Sequence, residues 1–357
     1  MKKILRLAFF TLLAALFVLH AQTRVSGIID RDTRWVPDES PYIVEGDIVI
    51  LPRARLLISP GTQVIISPGN TTPSSSPFDK LDSTLISIRV QGALSSVGRK
   101  DNPIIFRAEN SRFQEYKWRG IILDGAADQF TEIAYTEVSC ATTAITAKNC
   151  SPVVRNSILE NNNVGIHCLQ GGSLRIYNNV IARNFTAGIK VEASNPQIQN
   201  NIIAFNRNLG LWCDGISKVK FAYNCIYGNS DGNFLDCDPE LGMLVRINHN
   251  QDSTDRHWNL IQDPVFSGSL AETRAMELDT NLPTKHSQII DTSLAQLIHS
   301  SIDDSVNSLR HRRSSHRYSL SGYSPCINAG NPGRNFRNDD GTRNSIGTEG
   351  GPEFWSD

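Results

Sequence analysis

The chain has 357 residues, 39% of them hydrophobic and 20% charged, with a net charge of −1. Near-neutral charge spread over ordinary globular composition excludes the basic footprint of a nucleic-acid-binding protein and gives no long-range attraction for acidic polymers. Seven cysteines with no Cys-x-x-Cys spacing exclude a zinc knuckle and a dense disulfide framework, and they leave any pairing open.

Lys2, Lys3 and Arg6 precede a largely apolar run from Leu7 to Leu19 that ends in Leu19-His20-Ala21, the pattern of a cleavable secretion signal over 1–21. The run is shorter than the roughly 20 residues a membrane-spanning helix needs, and no later stretch reaches that length. No transmembrane segment is therefore expected after signal removal, and no cysteine follows the cut to carry a lipid. The expected location is secreted, periplasmic or cell-surface.

Short strands follow, at Tyr42 to Leu51, Leu56 to Ile66, Leu85 to Leu94, Ile104 to Phe106, Gly120 to Leu123, Ile133 to Val138 and Ala144 to Thr146. Gly, Pro and Asn break them, and the Ser/Thr-rich stretch Pro68 to Pro77 reads as a loop. The first strands are expected to cap one end.

From residue 153 onward a repeat becomes legible. Asn156, Asn179, Asn201 and Asn224 start successive copies spaced by 23, 22 and 23 residues. In the same frame run Ile158, Ile181, Ile203 and Ile226; Val153, Ile176, Ile198 and Phe221; Asn161, Asn184, Asn206 and Asn229; and Ile166, Ile189, Leu211 and Phe234. Gly165, Gly188 and Gly210 fill another column, read as tight positive-φ corners, which Asn233 interrupts. Like residues at a period of about 22 call for stacked parallel strands, with apolar columns forming a core and Asn columns hydrogen-bonding along the stack. A leucine-rich repeat has a similar period, but its Leu-x-x-Leu-x-Leu signature is missing. The expected fold is all-β, a right-handed parallel β-helix over 22–240, followed by a closing segment over 241–357.

That closing segment carries an interruption. Leu294, Leu297, Ile298, Ile302, Val306 and Leu309 keep helical spacing, and Ser293 with Gln296 forms a capping box, so an amphipathic helix is expected around 291–310. Arg310, His311, Arg312, Arg313, His316 and Arg317 follow it and read as a solvated loop.

Toward the start of the chain stand Ser26-Gly27-Ile28, Trp35, Ser40-Pro41-Tyr42-Ile43-Val44, Leu57 to Val64, Pro103-Ile104-Ile105-Phe106 and Trp118-Arg119-Gly120-Ile121. Toward the far end stand Asp263-Pro264-Val265-Phe266, Ser324 to Pro332 and Asp340 to Gly347. In these segments the chain resembles secreted bacterial right-handed β-helix repeat proteins of the pectin-lyase-like superfamily. The resemblance implies the fold and export. For activity it implies little, because this superfamily hosts lyases, hydrolases, epimerases and many members of unassigned role.

If Ile166, Ile189 and Leu211 face inward, His167, Lys190 and Trp212 face outward, with Leu169, Glu192 and Asp214 in the next outward column. The resemblance places a polysaccharide groove on such a face. Trp212 is the expected sugar platform, with His167 and Lys190 beside it. Lys190, Glu192 and Asp214 are the candidate catalytic groups, since inverting hydrolysis needs two carboxylates about 6.5–9.5 Å apart and a lyase needs a base with acids holding Ca²⁺. The motifs expected of pectate lyases and polygalacturonases, Arg-x-Pro-x-x-Arg, Asn-Thr-Asp and Gly-His-Gly, are absent. Their absence favours a non-catalytic glycan-binding or scaffold protein, with a polysaccharide lyase or glycoside hydrolase as the alternative. Asp339 and Asp340, in Asn338-Asp339-Asp340-Gly341, read as a turn before a Ca²⁺ loop, and no other cofactor is suggested. Cys168 and Cys213 read as small core residues two coils apart.

Overall fold

The computed structural model describes residues 22–67, 85–109, 116–267 and 317–352. The expected signal sequence, the loop at 68–77 and the helix around 291–310 lie outside them.

The chain winds into a right-handed parallel β-helix of about eight coils, each contributing short strands to three faces. One representative coil runs through Val180–Ala182, Ala187–Glu192 and Gln197–Gln199, and the next through Ile202–Ala204, Leu209–Trp212 and Lys220–Ala222. The strand that includes Lys190 and Trp212's coil neighbours builds a front sheet, Gln197–Gln199 an eight-stranded side sheet, and Val180–Ala182 a third sheet. Tyr42–Ile50 bends across a corner and belongs to both the front and the third sheet, while Thr23–Ile29 lies parallel on it as the outermost rung.

The alternation of two along each strand decides what is core. Ile181, Ile189 and Ile198 of one coil are fully buried, and each stands on an equivalent apolar residue of the next, while the buried Val191 stands over Cys168 of the coil before. Such columns bury apolar surface along the whole axis, so each coil is stabilised mainly by its neighbours.

Corners require left-handed backbone. Asn156, Asn178, Asn200 and Tyr223 hold one corner with φ of 47°, 55°, 59° and 56°, and Asn161, Arg183, Phe205 and Gly228 hold the second with φ of 56°, 59°, 57° and 63°. Asn accepts this conformation at least cost among residues with a Cβ, which explains part of its abundance here.

The residue after each such corner carries the stacked amide. Oδ1 of Asn179 accepts the Ser157 N–H, Asn201 accepts from Asn179, Asn224 from Asn201 and Asn259 from Asn224, at 2.9–3.0 Å. A second ladder runs through Asn162, Asn184, Asn206 and Asn229. Asp255, fully buried, ends the first ladder by accepting the backbone and side-chain N–H groups of Asn259.

Two expectations are corrected here. Asn156 and Asn161 occupy the left-handed corners, and Ser157 and Asn162 occupy the ladders, so the first copy is displaced by one residue as far as Asn161, while Ile166 keeps its expected place over Ile189. Val154 accordingly pairs with Ile176, and Leu159 stands over Ile181, Ile203 and Ile226, while Ile158 stacks with Val180 and Ile202 on the opposite face. A slip of one residue reverses every side chain because the strand period is two. Gly165, Gly188 and Gly210 are also absent from the positive-φ positions. They are small because a Cβ at Gly188 would sit 2.8 Å from the Gly210 carbonyl oxygen and from Ile203 Cγ2.

The outer face of the third sheet is covered. Ile158, Val180, Ala182, Ile202, Ala204 and Cys225 form a second apolar core with Leu260, Tyr318, Cys326, Ala329 and Ile346 of the closing segment. Arg317 is part of this cover: its guanidinium sits 2.9 Å from the buried Glu160 carboxylate, which corrects the expectation of a solvated basic stretch at that residue. Among the described residues helix is nearly absent, with 3₁₀ turns at Pro37–Glu39, Asp128–Phe130 and Arg334–Phe336. Among the described residues, no helix is long and apolar enough to cross a membrane.

Candidate functional site

Strand register puts Thr146, His167, Lys190, Trp212 and Leu235 in one outward column on the front sheet. Lys148, Leu169 and Glu192 form the column beside it. The side chains of the two columns meet. Glu192 Oε2 lies 2.6 Å from His167 Nε2, and Oε1 lies 2.9 Å from Lys190 Nζ. Lys190 Nζ in turn rests 4.4 Å from the centre of the Trp212 ring, a cation–π contact across one coil. The outcome is a flat surface in which an indole, an ammonium, a carboxylate and an imidazole hold one another in place.

The charges follow from these contacts. Burial lowers the His167 imidazole below its ordinary value, outweighing the Glu192 carboxylate that favours the proton. His167 is therefore neutral at pH 7 and donates Nε2–H to Glu192. Burial would raise the Glu192 carboxyl, but hydrogen bonds from Lys190 and His167 prevail and hold it low. Both groups bind protons more readily in the unfolded chain than in the folded one. For His167 the contribution to stability is complete above its unfolded value, about 6.5, and is lost as pH falls through its lower folded value; for Glu192 the same sequence follows at more acidic pH. The melting temperature of the protein should thus fall between pH 7 and pH 5, and His167→Gln should flatten that fall. Equal slopes for the two proteins would show that the imidazole is not held neutral.

Asp214 reaches the neighbouring position and is used differently. Its Oδ2 accepts the Ala193 N–H at 2.6 Å, and Oδ1 accepts the N–H groups of Ile216 at 3.1 Å and Ser217 at 2.8 Å. Slight burial pushes the carboxyl up, and these backbone donors more than offset it, holding the group well below the usual range. Asp214 caps a turn at the third corner. Asp340 also closes a turn, with Oδ1 accepting the N–H and hydroxyl of Thr342 at 2.9 and 2.6 Å; Asp339 adjoins it in the same exposed turn.

Two arrangements escape sequence reasoning. A cleft of about 650 Å³ lies on another face, between the closing segment and the third sheet, with Arg99, Lys100, Tyr135, Glu137, Asn156 and Glu349 in its lining. It shares no residue with the front-sheet patch. Near the last coil, Asp238, Glu240 and His257 bring one potential ligand atom each within 4.8 Å of one another. Arg256 Nη1 lies 2.6 Å from both Glu240 oxygens, so that carboxylate is already matched by a cation. The contributing residues come from distant stretches, and no spacing motif announces either place.

Residues 97–238 match the family model described as a right handed beta helix region. No curated protein matches the chain. Among solved structures it is similar to the crystal structure of the periplasmic alginate epimerase AlgG, with 13% identity, a TM-score of 0.27, and coverage of 59% of this chain and 72% of that one.

Proposed function

We propose that this chain, a right-handed parallel β-helix, is an exported, non-catalytic protein that binds glycan on its front sheet. The single observation behind the reading is the Trp212–Lys190–Glu192–His167 surface. Trp212 is half-buried and a cation lies over one face of its ring, so the indole is fixed in place, and its remaining apolar surface is of the kind against which a pyranose ring packs.

The same contacts weigh against catalysis at this patch. Hydrolysis of a glycosidic bond needs one carboxyl raised toward neutrality as a general acid, with a second carboxylate opposite it. Glu192 and Asp214 are both held low, and the oxygens of Asp214 are taken by backbone donors. Lys190 shares its proton-bearing nitrogen with Glu192 and Trp212, a poor position for a base.

With His167 neutral and Lys190 balanced by Glu192, the patch carries no net charge, so binding should depend weakly on ionic strength. Co-sedimentation with a panel of neutral and uronate polysaccharides tests the proposal. Trp212→Ala should weaken binding by roughly tenfold or more, the scale of a lost aromatic anchor, with no new reducing or unsaturated ends from either protein. Undiminished binding by the variant would move the site elsewhere; release of new ends by the wild type would make the protein an enzyme.

A further inference from the structure

The rung that carries Trp212 and the last rung of the front sheet also hold two thiols, 24 residues apart in the chain. Cys213 follows Trp212, and its backbone N–H donates to the Leu235 carbonyl at 2.9 Å, which fixes it against the last rung, Gly232–Leu235. Cys237 turns back over that rung, its Sγ 3.2 Å from the Leu235 oxygen and 2.7 Å from Cys213 Sγ. A disulfide asks for about 2.05 Å between sulfurs on side chains that already face each other. Only a small displacement separates this dithiol from that geometry.

We propose that Cys213 and Cys237 form an intramolecular disulfide when the folded protein meets an external disulfide, and that the bond staples the last rung of the β-helix to the one before it. The two sulfurs have different roles. Cys213 is 4% exposed, whereas Cys237 is only half-buried, so an external reagent reaches Cys237. Donation of the Cys213 S–H lowers the Cys237 thiol against the effect of burial, and the same bond with burial raises Cys213. Thiolate character and access thus coincide at Cys237.

The exchange balances in two steps. The Cys237 thiolate attacks one sulfur of the external disulfide, forming a mixed disulfide and expelling one carrier thiolate. Cys213 then releases its proton to solvent, and its sulfur attacks Cys237 Sγ; the bond to the carrier breaks and a second carrier thiolate leaves. Two protein thiols are oxidised by two electrons, and the carrier disulfide is reduced to two thiols.

A second neighbouring pair serves as an internal control. Cys225 and Cys326 interact in the core beneath the closing segment, and both are fully buried. No external disulfide reaches either in the folded protein. Cys168 stands over Val191, not over another cysteine.

The test uses the full-length protein, purified under reducing conditions, freed of reductant and exposed while folded to oxidised glutathione. Alkylation, digestion without reduction and mass mapping should give one cross-linked species joining Cys213 to Cys237, with the other five of the seven cysteines alkylated. Cys213→Ser should leave Cys237 as a persistent glutathione adduct. Seven alkylated cysteines, a different linkage, or wild-type Cys237 remaining as the adduct would overturn the proposal. Should the serine variant fail to fold, the wild-type map decides alone.

Discussion

Replacing Asn201 with Ala is expected to destabilise the protein by about 3–5 kcal/mol, close to the limit of what a single substitution does. Asn201 is fully buried, so water cannot replace what its amide provides. Its Oδ1 accepts both the backbone and the side-chain N–H of Asn179 at 2.9 Å, and its Nδ2 donates to the carbonyls of Ile176 at 2.8 Å and Gln199 at 2.9 Å. Truncation removes partners from donors and acceptors in the two preceding coils at once. Each buried group left unsatisfied costs about 1–3 kcal/mol, far more than the net gain from forming a bond. Because a solenoid is held by nearest-neighbour contacts, the loss should spread into the adjoining coils. Asn250→Ala, at an exposed turn, should cost about 1 kcal/mol or less. Urea denaturation of both variants makes the comparison, and similar midpoints would mean that the ladder is not a principal source of stability.

Arg317→Ala should release the closing segment at a cost of about 3 kcal/mol. Glu160 lies on the outer face of the third sheet, 6% exposed, and receives the Arg317 guanidinium through 3.1 and 2.9 Å contacts and the Tyr318 hydroxyl at 2.7 Å. The Glu160 charge raises the Arg317 guanidinium above its ordinary value, and burial together with Glu160 raises the Tyr318 hydroxyl. Removing the cation leaves a buried carboxylate with less compensation, which costs more than the intact pair contributes. The double variant Glu160→Leu with Arg317→Leu should recover most of the loss. Limited proteolysis reads the outcome through cleavage within 317–352, fast in the single variant and slow in the wild type and the double. Equal protection in all three would show that the apolar contacts of Tyr318, Cys326 and Ile346 hold the cover without the charges.

The one-residue error in the first copy of the repeat has a definite source. Each coil presents a left-handed corner residue followed by a ladder residue: Asn156-Ser157, Asn178-Asn179, Asn200-Asn201 and Tyr223-Asn224. The two positions favour Asn for different reasons, conformation at the first and hydrogen bonding at the second. Where Ser157 takes the ladder, the corner Asn156 imitates it in the sequence. Asn161-Asn162 offers the same ambiguity. The glycine column was similarly visible while its cause was hidden, because a small residue reads the same whether φ or a neighbouring carbonyl demands it.

The front-sheet column of His167, Lys190 and Trp212 was legible because a strand period of two fixes sidedness once the inward residues are known. What Asp214 does was not legible, since its partners are backbone N–H groups of a turn and of the preceding coil. Nor could the chain alone announce the thiol contact at Cys237 or the covering of the third sheet.

The sequence by itself determined the architecture, because a parallel solenoid repeats one local rule, like residue over like residue, and that rule is written as a period in the chain. Only the tertiary structure decided which outward surfaces stay open. The closing segment reaches back across long stretches of chain, 157 residues between Arg317 and Glu160, and such pairings depend on shape and charge with no repeat to record them.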